Sequence, residues 1–153
     1  MQSYEQKLKE YILKQGICAK HLTFTKSCHS VADAAKAVGA KPDDFIKSIC
    51  LLDRETFIVG IVTGDDRVSR NRVAQVLHIT LPAIASPEIV LAKTGYPIGG
   101  VPPFGFDALF LIDERVMEKE FVYGGGGSTN ALVTCSPQEI HKANKGKIIR
   151  IRK

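Results

Sequence analysis

The segment FIKSICLLDRETFIVGIVTGD, residues 45–65, is the most informative part of the sequence for the fold. Two runs rich in aliphatic, β-branched and aromatic residues flank the polar segment Asp53-Arg54-Glu55, a pattern that predicts two strands joined by a tight turn. A connection this short makes the strands antiparallel, because parallel neighbours need a crossover of a dozen residues or more. The sequence therefore predicts an antiparallel hairpin at the centre of the chain.

Helices and further short strands are predicted on both sides of this hairpin. Serines that can cap a helix, and glycines that can end one, mark several of the helices. The predicted helices cover residues 3–15, 31–39 and 69–77, with shorter ones beginning at Pro42, at Ser86-Pro87 and at the capping box 136–139. The other predicted strands cover residues 21–24, 80–85, 108–112, 120–124, 131–135 and 147–153. Because several strands are joined too tightly for parallel crossovers, we expect an α+β fold whose sheet is mostly antiparallel or mixed and curls toward a barrel.

Length and composition indicate one globular domain over residues 1–153. Hydrophobic residues make up 44% of the chain and charged residues 24%, and no apolar run is long enough for a membrane span. The amphipathic N-terminus is unlike a secretory signal, so we expect a cytoplasmic protein with reduced cysteines. Four scattered cysteines without a C-x-x-C pair argue against a zinc site, and no metal or cofactor is predicted. The net charge of +5 slightly favours a polyanionic partner, although proteins that bind no nucleic acid often share it.

The segment TGYPIGGVPPFG, residues 94–105, holds four glycines and three prolines. Adjacent N–H groups at Gly99 and Gly100 could both point at one oxygen, and such fixed donors stabilise the charge that develops on an attacked ester carbonyl. Prolines would hold the loop rigid. The alternative is a loop that only turns a corner, and composition does not decide between the two.

A second glycine-rich segment, GGGGSTN, covers residues 124–130 and lacks the features of a phosphate-binding loop. It is either a flexible hairpin tip, which the sequence favours, or a wall of a substrate pocket with Ser128, Thr129 or Asn130 as a polar contact.

Lys47 follows Ile46 within an apolar run. It is either a lysine that faces outward from a strand or a cation at the edge of a pocket. No nucleophile is evident: the histidines are dispersed, no G-x-S-x-G elbow is present, and nothing local marks Cys18 or Cys28. An enzyme with this sequence would work by positioning water or a substrate group.

Five segments in this order resemble the YbaK/ProX family of trans-editing aminoacyl-tRNA deacylases, a domain also inserted into many bacterial prolyl-tRNA synthetases. The segments are VADAAKAVGAKPDDFIKS, IVTGDDRVSRNRVAQVL, TGYPIGGVPPFG, ALFLIDERV and YGGGGSTNALVTCSPQEI, within residues 22–140. The resemblance implies a six- or seven-stranded mixed, barrel-like sheet flanked by helices. It also implies hydrolysis of the ester between a wrong small amino acid, alanine or cysteine, and a tRNA, most often tRNA-Pro.

The resemblance also implies the site residues. Lys47 matches the family's motif lysine, Gly99 and Gly100 its substrate loop, and Gly127 to Asn130 the positions that help to select the amino acid. Phe24, Tyr96 or Phe104 could stack on the terminal base, with Tyr96 preferred because it lies in the rigid loop.

The expected partners are mischarged tRNA and possibly prolyl-tRNA synthetase, and no membrane is expected. The sequence does not indicate the oligomeric state. Basic residues near the motifs and in a C-terminal strip could track the tRNA phosphates, although the strip could equally be a solvated face. These residues are Lys41, Arg67, Arg70, Arg72 and Lys93 near the motifs, and Lys142, Lys145, Lys147, Arg150 and Arg152 in the strip. The rival interpretation is a non-catalytic module that binds a nucleotide or RNA end and recruits a synthetase.

Overall fold

The computed structural model describes residues 2–25 and 30–153. The helices in these ranges are α1 (Tyr4–Gln15), α2 (Val31–Val38), α3 (Arg70–Leu77), α4 (Pro87–Thr94) and α5 (Pro137–Asn144), with short 3₁₀ turns at Pro42–Asp44 and Glu114–Glu118. The strands are β1 (Ala19–Thr23), β2 (Ile46–Asp53), β3 (Thr56–Thr63), β4 (Ala83–Ile84), β5 (Leu109–Ile112), β6 (Val122–Gly125), β7 (Ala131–Cys135) and β8 (Lys147–Ile148). None of the helices in the described ranges is long and apolar enough to cross a bilayer.

The strands form two sheets rather than one barrel. A five-stranded sheet has the order β4-β2-β3-β5-β8, and a three-stranded sheet has the order β1-β7-β6. Within the described residues, one isolated bridge between Phe45 and Tyr123 links the two sheets. The prediction of a mixed, mostly antiparallel α+β fold is confirmed, but the barrel-like closure and the count of six or seven strands are wrong. The outer strands β4 and β8 have only two residues each, too few to continue the hydrogen-bond ladders into a closed sheet.

The predicted central hairpin is confirmed as the antiparallel pair β2–β3, in register from Ile46–Thr63 to Asp53–Thr56. β3 is covered on both faces. Val59 and Ile61 enter the larger core cluster with α1 and α5, whereas Ile58 and Val62 enter a second cluster beneath α3. All four side chains are fully buried, and each such burial stabilises the fold by roughly 1.5–3 kcal/mol. The hairpin therefore separates these two core clusters and packs against both.

Serine caps set where the helices begin. Each of the five helices has a serine N-cap whose hydroxyl accepts a hydrogen bond from the backbone N–H three residues on, and these serines are Ser3, Ser30, Ser69, Ser86 and Ser136. The capping box predicted at 136–139 is only half formed. Ser136 caps as expected, but the Glu139 carboxylate accepts from the Cys18 N–H at 2.7 Å and so fixes the chain just before β1.

The C-terminal segment is held by a buried carboxylate instead of by a long strand. Asp113 is fully buried and accepts hydrogen bonds from the Ile151, Arg152 and Arg115 N–H groups, and the Arg152 guanidinium pairs with it at 2.8 Å. These donors outweigh the effect of burial and lower the pKa of Asp113. The predicted strand over 147–153 is accordingly wrong beyond Ile148, and Arg152 contributes to folding rather than to the solvent-exposed basic strip.

Candidate active site

The Gly-Pro loop contains a β-turn that only glycine suits. The Gly100 N–H donates to the Pro97 carbonyl at 3.0 Å, and Gly99 has a φ of 88°. A positive φ at the third position of a turn is the type II geometry, in which a side chain would be strained. The sequence of this loop therefore fixes its backbone locally.

The two glycine-rich segments pack backbone against backbone. A Cβ at Gly100 would lie 2.6 Å from the Ser128 nitrogen, and a Cβ at Gly125 would collide with the Val101 carbonyl. The Gly127 N–H donates to the Gly100 carbonyl at 2.8 Å. This close approach requires residues without side chains on both segments. The hairpin glycines are thus fixed against the loop, which does not fit a flexible tip.

This contact closes one side of a pocket of about 420 Å³, which we call the apolar pocket. Its walls are residues 46–50 of β2, residues 98–99 and 101 of the loop, residues 124–125 of the hairpin and part of α2. Lys47 and Gly99 both line it, so the structure brings these two predicted residues together. In the part of the chain that the structure describes, Lys47 is its one charged lining residue.

Lys47 is a half-buried cation on β2, opposite Val62 of β3. Burial lowers its pKa, and the Arg67 guanidinium lowers it further, while Asp66 and Asp65 act in the opposite direction. Among residues 2–25 and 30–153, no carboxylate lies within ion-pair distance of the Lys47 ammonium. Its hydrogen-bonding capacity is therefore available to a ligand.

The prediction that the Gly99 and Gly100 N–H groups both bind one oxyanion is wrong for Gly100. The Gly100 N–H is used by the Pro97 carbonyl, and Gly100 does not line the pocket. The Gly99 N–H has no acceptor among the described residues. Of the two expected donors, the Gly99 N–H is the available one, and Gly100 has a packing role.

Tyr96, the preferred stacking residue, is wrong as a platform for a base. Its side chain is fully buried, and the Lys7 ammonium lies 4.6 Å from the ring centroid. Burial raises the pKa of its phenol to about 12. Phe104, the other loop aromatic, is also fully buried. Neither ring offers a face to a ligand, because both belong to the main core cluster.

Phe24 and residues 127–130 lie together, but not in the wall of the apolar pocket. The Phe24 N–H donates to the Asn130 carbonyl at 2.8 Å, and Ser128 and Thr129 form hydrogen bonds with Asn130. Half-buried Phe24 packs on a cluster that contains Phe45. These predicted contacts with the substrate would need a ligand that extends beyond the pocket.

Cys50 lines the apolar pocket but is a poor nucleophile. Burial raises the pKa of its thiol to about 11, so the thiolate form is scarce at neutral pH. Cys18 is exposed and does not line the pocket, and Cys28 and His29 lie outside the described residues. Within the described ranges, no three His, Cys, Asp or Glu residues form a group that could hold a metal ion.

Most of the apolar wall was not predicted from the sequence. Ile84 and Ile98 stand at the pocket with 69% and 56% of their surface exposed, unusual values for isoleucine. Gly124 and Gly125, rather than Gly127, are the hairpin glycines that line it. Alternation along β2 places Ser48 and Cys50 on the strand face opposite Lys47, so it does not predict that they line one pocket. Nothing local indicates that Ile84 and Ile98 approach them.

Comparison with known proteins supports one family. A family model described as "Aminoacyl-tRNA editing domain" matches residues 25–143. The uncharacterized protein YwhH of Bacillus subtilis is 27% identical over 127 residues, which are 82% of this chain and 81% of that protein. The proline--tRNA ligase of Thermotoga neapolitana is 26% identical over 66% of this chain, but the match spans only 18% of the ligase.

Solved structures agree on the fold. The hypothetical protein APE2540 superposes with a TM-score of 0.88 and 29% identity, covering 96% of this chain and 99% of that one. A structure proposed to be a trans-editing enzyme for prolyl tRNA synthetase gives a TM-score of 0.92 at 23% identity, covering 100% of this chain and 99% of that one. Since the editing-domain match runs through β2, the Gly-Pro loop and the glycine hairpin, the chain belongs to the aminoacyl-tRNA editing domain family.

Proposed function

We propose that this protein is an aminoacyl-tRNA hydrolase that removes a small, wrongly attached amino acid from the terminal ribose of a tRNA. The observation that carries the proposal is the apolar pocket that Lys47 and Gly99 both line. The pocket volume of about 420 Å³ lies in the range of small-molecule sites. Membership of the editing family supports the reaction class.

The lining of the pocket supports alanine or cysteine as the amino acid removed. Apart from Lys47, the described lining residues are uncharged, and they include Ala34, Cys50 and Ala85. Such a surface suits a short aliphatic or thiol side chain and offers no partner for an acidic one except the lysine. A synthetase pocket discriminates one methylene by only about 1–3 kcal/mol, so amino acids no larger than proline need a second hydrolytic sieve. Similarity to proline--tRNA ligases supports tRNA-Pro as the carrier.

In the proposed mechanism, a water molecule attacks the carbonyl carbon of the ester. The Gly99 N–H and the Lys47 ammonium hold the carbonyl oxygen and stabilise its developing negative charge. The water oxygen bonds to the carbonyl carbon and loses a proton, the bond from that carbon to the ribose oxygen breaks, and the ribose oxygen takes up a proton in its place. The products are a free amino acid and a tRNA with both terminal hydroxyls restored. An ester is activated enough that no protein nucleophile is required, in keeping with the protonated Cys50 thiol.

A deacylation panel tests the proposal. Purified protein is incubated with Ala-, Cys-, Ser- and Pro-tRNA-Pro, and loss of each ester is followed against the spontaneous rate. We expect loss of the alanyl or the cysteinyl ester and survival of the prolyl ester. Binding of every tRNA without faster hydrolysis of any would contradict the proposal and favour a non-catalytic module that holds an RNA end. The proposal places the protein in the cytoplasm, where tRNA is charged.

A further inference from the structure

A second pocket of about 420 Å³ lies beside the apolar pocket, and we call it the basic pocket. Four of its lining residues are cationic: Lys47, Arg67, Arg70 and Lys153. No Asp or Glu lines it in the part of the chain that the structure describes. A concave surface lined by several cations and by no Asp or Glu among the described residues concentrates a positive field that attracts anions.

The cations of the basic pocket form no ion pair with a carboxylate of the described residues. The ion pairs within the described ranges join Arg115 to Asp66, Lys119 to Asp43 and Arg152 to Asp113, so none involves a residue of this pocket. Asp65 and Asp66 are near enough to act on Lys47, but Asp66 is held by Arg115 at 2.9 Å. The repulsion between Arg67 and Lys47 would be relieved by a bound anion.

One of these side chains is held in place for binding. Arg70 donates from Nη1 to the Pro82 carbonyl at 3.1 Å, which orients the guanidinium while leaving further N–H donors for a ligand. Arg67 and Arg70 are both exposed to solvent. A guanidinium fork of this kind matches the oxygens of a phosphate.

The two pockets share a wall. Lys47, Ile49 and Ile84 line both of them, so an anion in the basic pocket would lie next to a group in the apolar pocket. Leu81 and Ile84 are exposed apolar side chains in the same wall and could cover the face of a sugar or base. This arrangement fits a ligand with an uncharged end and a phosphate one nucleoside away.

We propose that the basic pocket binds the phosphodiester that joins the terminal nucleoside of a single-stranded RNA 3′ end to the nucleotide before it, through Arg67 and Arg70. The inference rests on the proposed function for the identity of the RNA, but binding at this subsite requires no hydrolysis. Each phosphate contact contributes about 0.7 to the slope of log K against log salt for a single strand. We therefore expect the two arginines to contribute both to the affinity for RNA and to the salt dependence of that affinity.

The test is binding of an uncharged, fluorescently labelled RNA ending in CCA, measured by anisotropy from 50 to 200 mM salt. Arg67→Gln and Arg70→Gln are compared with Arg54→Gln, which removes the same charge from an exposed arginine that does not line the pocket. We expect each pocket variant to weaken binding about tenfold at low salt and to flatten the slope by up to about 0.7, while Arg54→Gln changes little. Equal losses in all three variants would indicate diffuse attraction and overturn the subsite.

A competition arm identifies the phosphate as the recognised group. Adenosine 5′-monophosphate should displace the labelled RNA at a concentration about tenfold lower than adenosine, and the Arg67→Gln variant should lose that difference. Equal competition by the two would overturn the proposal. The outcome is separable from hydrolysis: a protein that binds RNA as expected but cleaves no ester would refute the proposed function alone, whereas unaltered binding in the variants of an active hydrolase would refute the subsite alone.

Discussion

Replacing Gly100 with alanine should destabilise the protein through one backbone contact. The new Cβ would lie 2.6 Å from the Ser128 nitrogen and 2.7 Å from the Gly127 carbonyl carbon. Comfortable contacts are about 3.5–4.0 Å, so the hairpin has to retreat by roughly 1 Å. Overpacking of this kind costs about 1–3 kcal/mol, and loss of the hydrogen bond from Gly127 to Gly100 adds about 1 kcal/mol. We therefore expect a loss of about 2–4 kcal/mol in the free energy of unfolding.

Thermal and urea unfolding measure this loss. For a chain of this size, 1 kcal/mol shifts Tm by about 2–4 °C, so the expected drop is about 4–16 °C. Gly16→Ala is the matched control, because Gly16 also has a special conformation, with φ at 65°, but no atom lies within 4 Å of a Cβ built there. The control should lose only about 1–2 kcal/mol of stability, which is the cost of placing alanine in a left-handed conformation. Its apolar pocket should be unchanged. A Gly100→Ala protein as stable as the wild type would refute the interlocked packing of loop and hairpin.

Asp113→Asn should cost about 1.5–3 kcal/mol in urea unfolding, because the buried carboxylate loses the charge that strengthens its hydrogen bonds from the Ile151 and Arg152 N–H groups; a loss below about 0.5 kcal/mol would contradict this explanation of how the C-terminal segment is held. The lowered pKa of Asp113 means that its contribution is present above the ordinary carboxyl pKa of 3.8 and is lost as pH falls through the lower folded value, so the wild type should lose more stability on acidification than the variant. Cys50 should react with iodoacetamide far more slowly than exposed Cys18 at pH 8, since a thiol pKa of about 11 leaves about one molecule in a thousand as thiolate; peptide mapping that finds equal rates would show that the pocket is more open than described.

Local rules in the sequence account for much of the fold. The serine caps, the β2–β3 hairpin and the need for glycine at position 99 depend on residues that are neighbours in the chain, so their patterns were sufficient. The length of the C-terminal strand was mispredicted because the alternation in 147–153 is overridden by Asp113, which lies 38 residues from Ile151. Closure of the sheet was mispredicted because it depends on where short edge strands end.

Only the site residues that belong to recognisable motifs could be predicted from the sequence. Lys47 and Gly99 were found from composition and family resemblance, and the fold brings them to one pocket. Tyr96 could not be placed, because its burial depends on packing against distant elements such as α1, whose Lys7 covers the ring. The role of Gly100 depends on an approach to Ser128 that no local pattern encodes. Contacts between segments far apart in sequence explain each of these differences.

We propose that Lys47 acts on an ester within the apolar pocket without a protein nucleophile. The decisive measurement is the single-turnover rate of deacylation of the preferred mischarged tRNA by Lys47→Ala, with Lys9→Ala as control because Lys9 is exposed and lines neither pocket. Removing one stabilising group from a developing oxyanion costs about 10²–10³ in rate. We therefore expect Lys47→Ala to be slower by at least about a hundredfold at unchanged Tm, and Lys9→Ala to match the wild type. A Lys47→Ala protein that hydrolyses the ester at the wild-type rate would contradict the account.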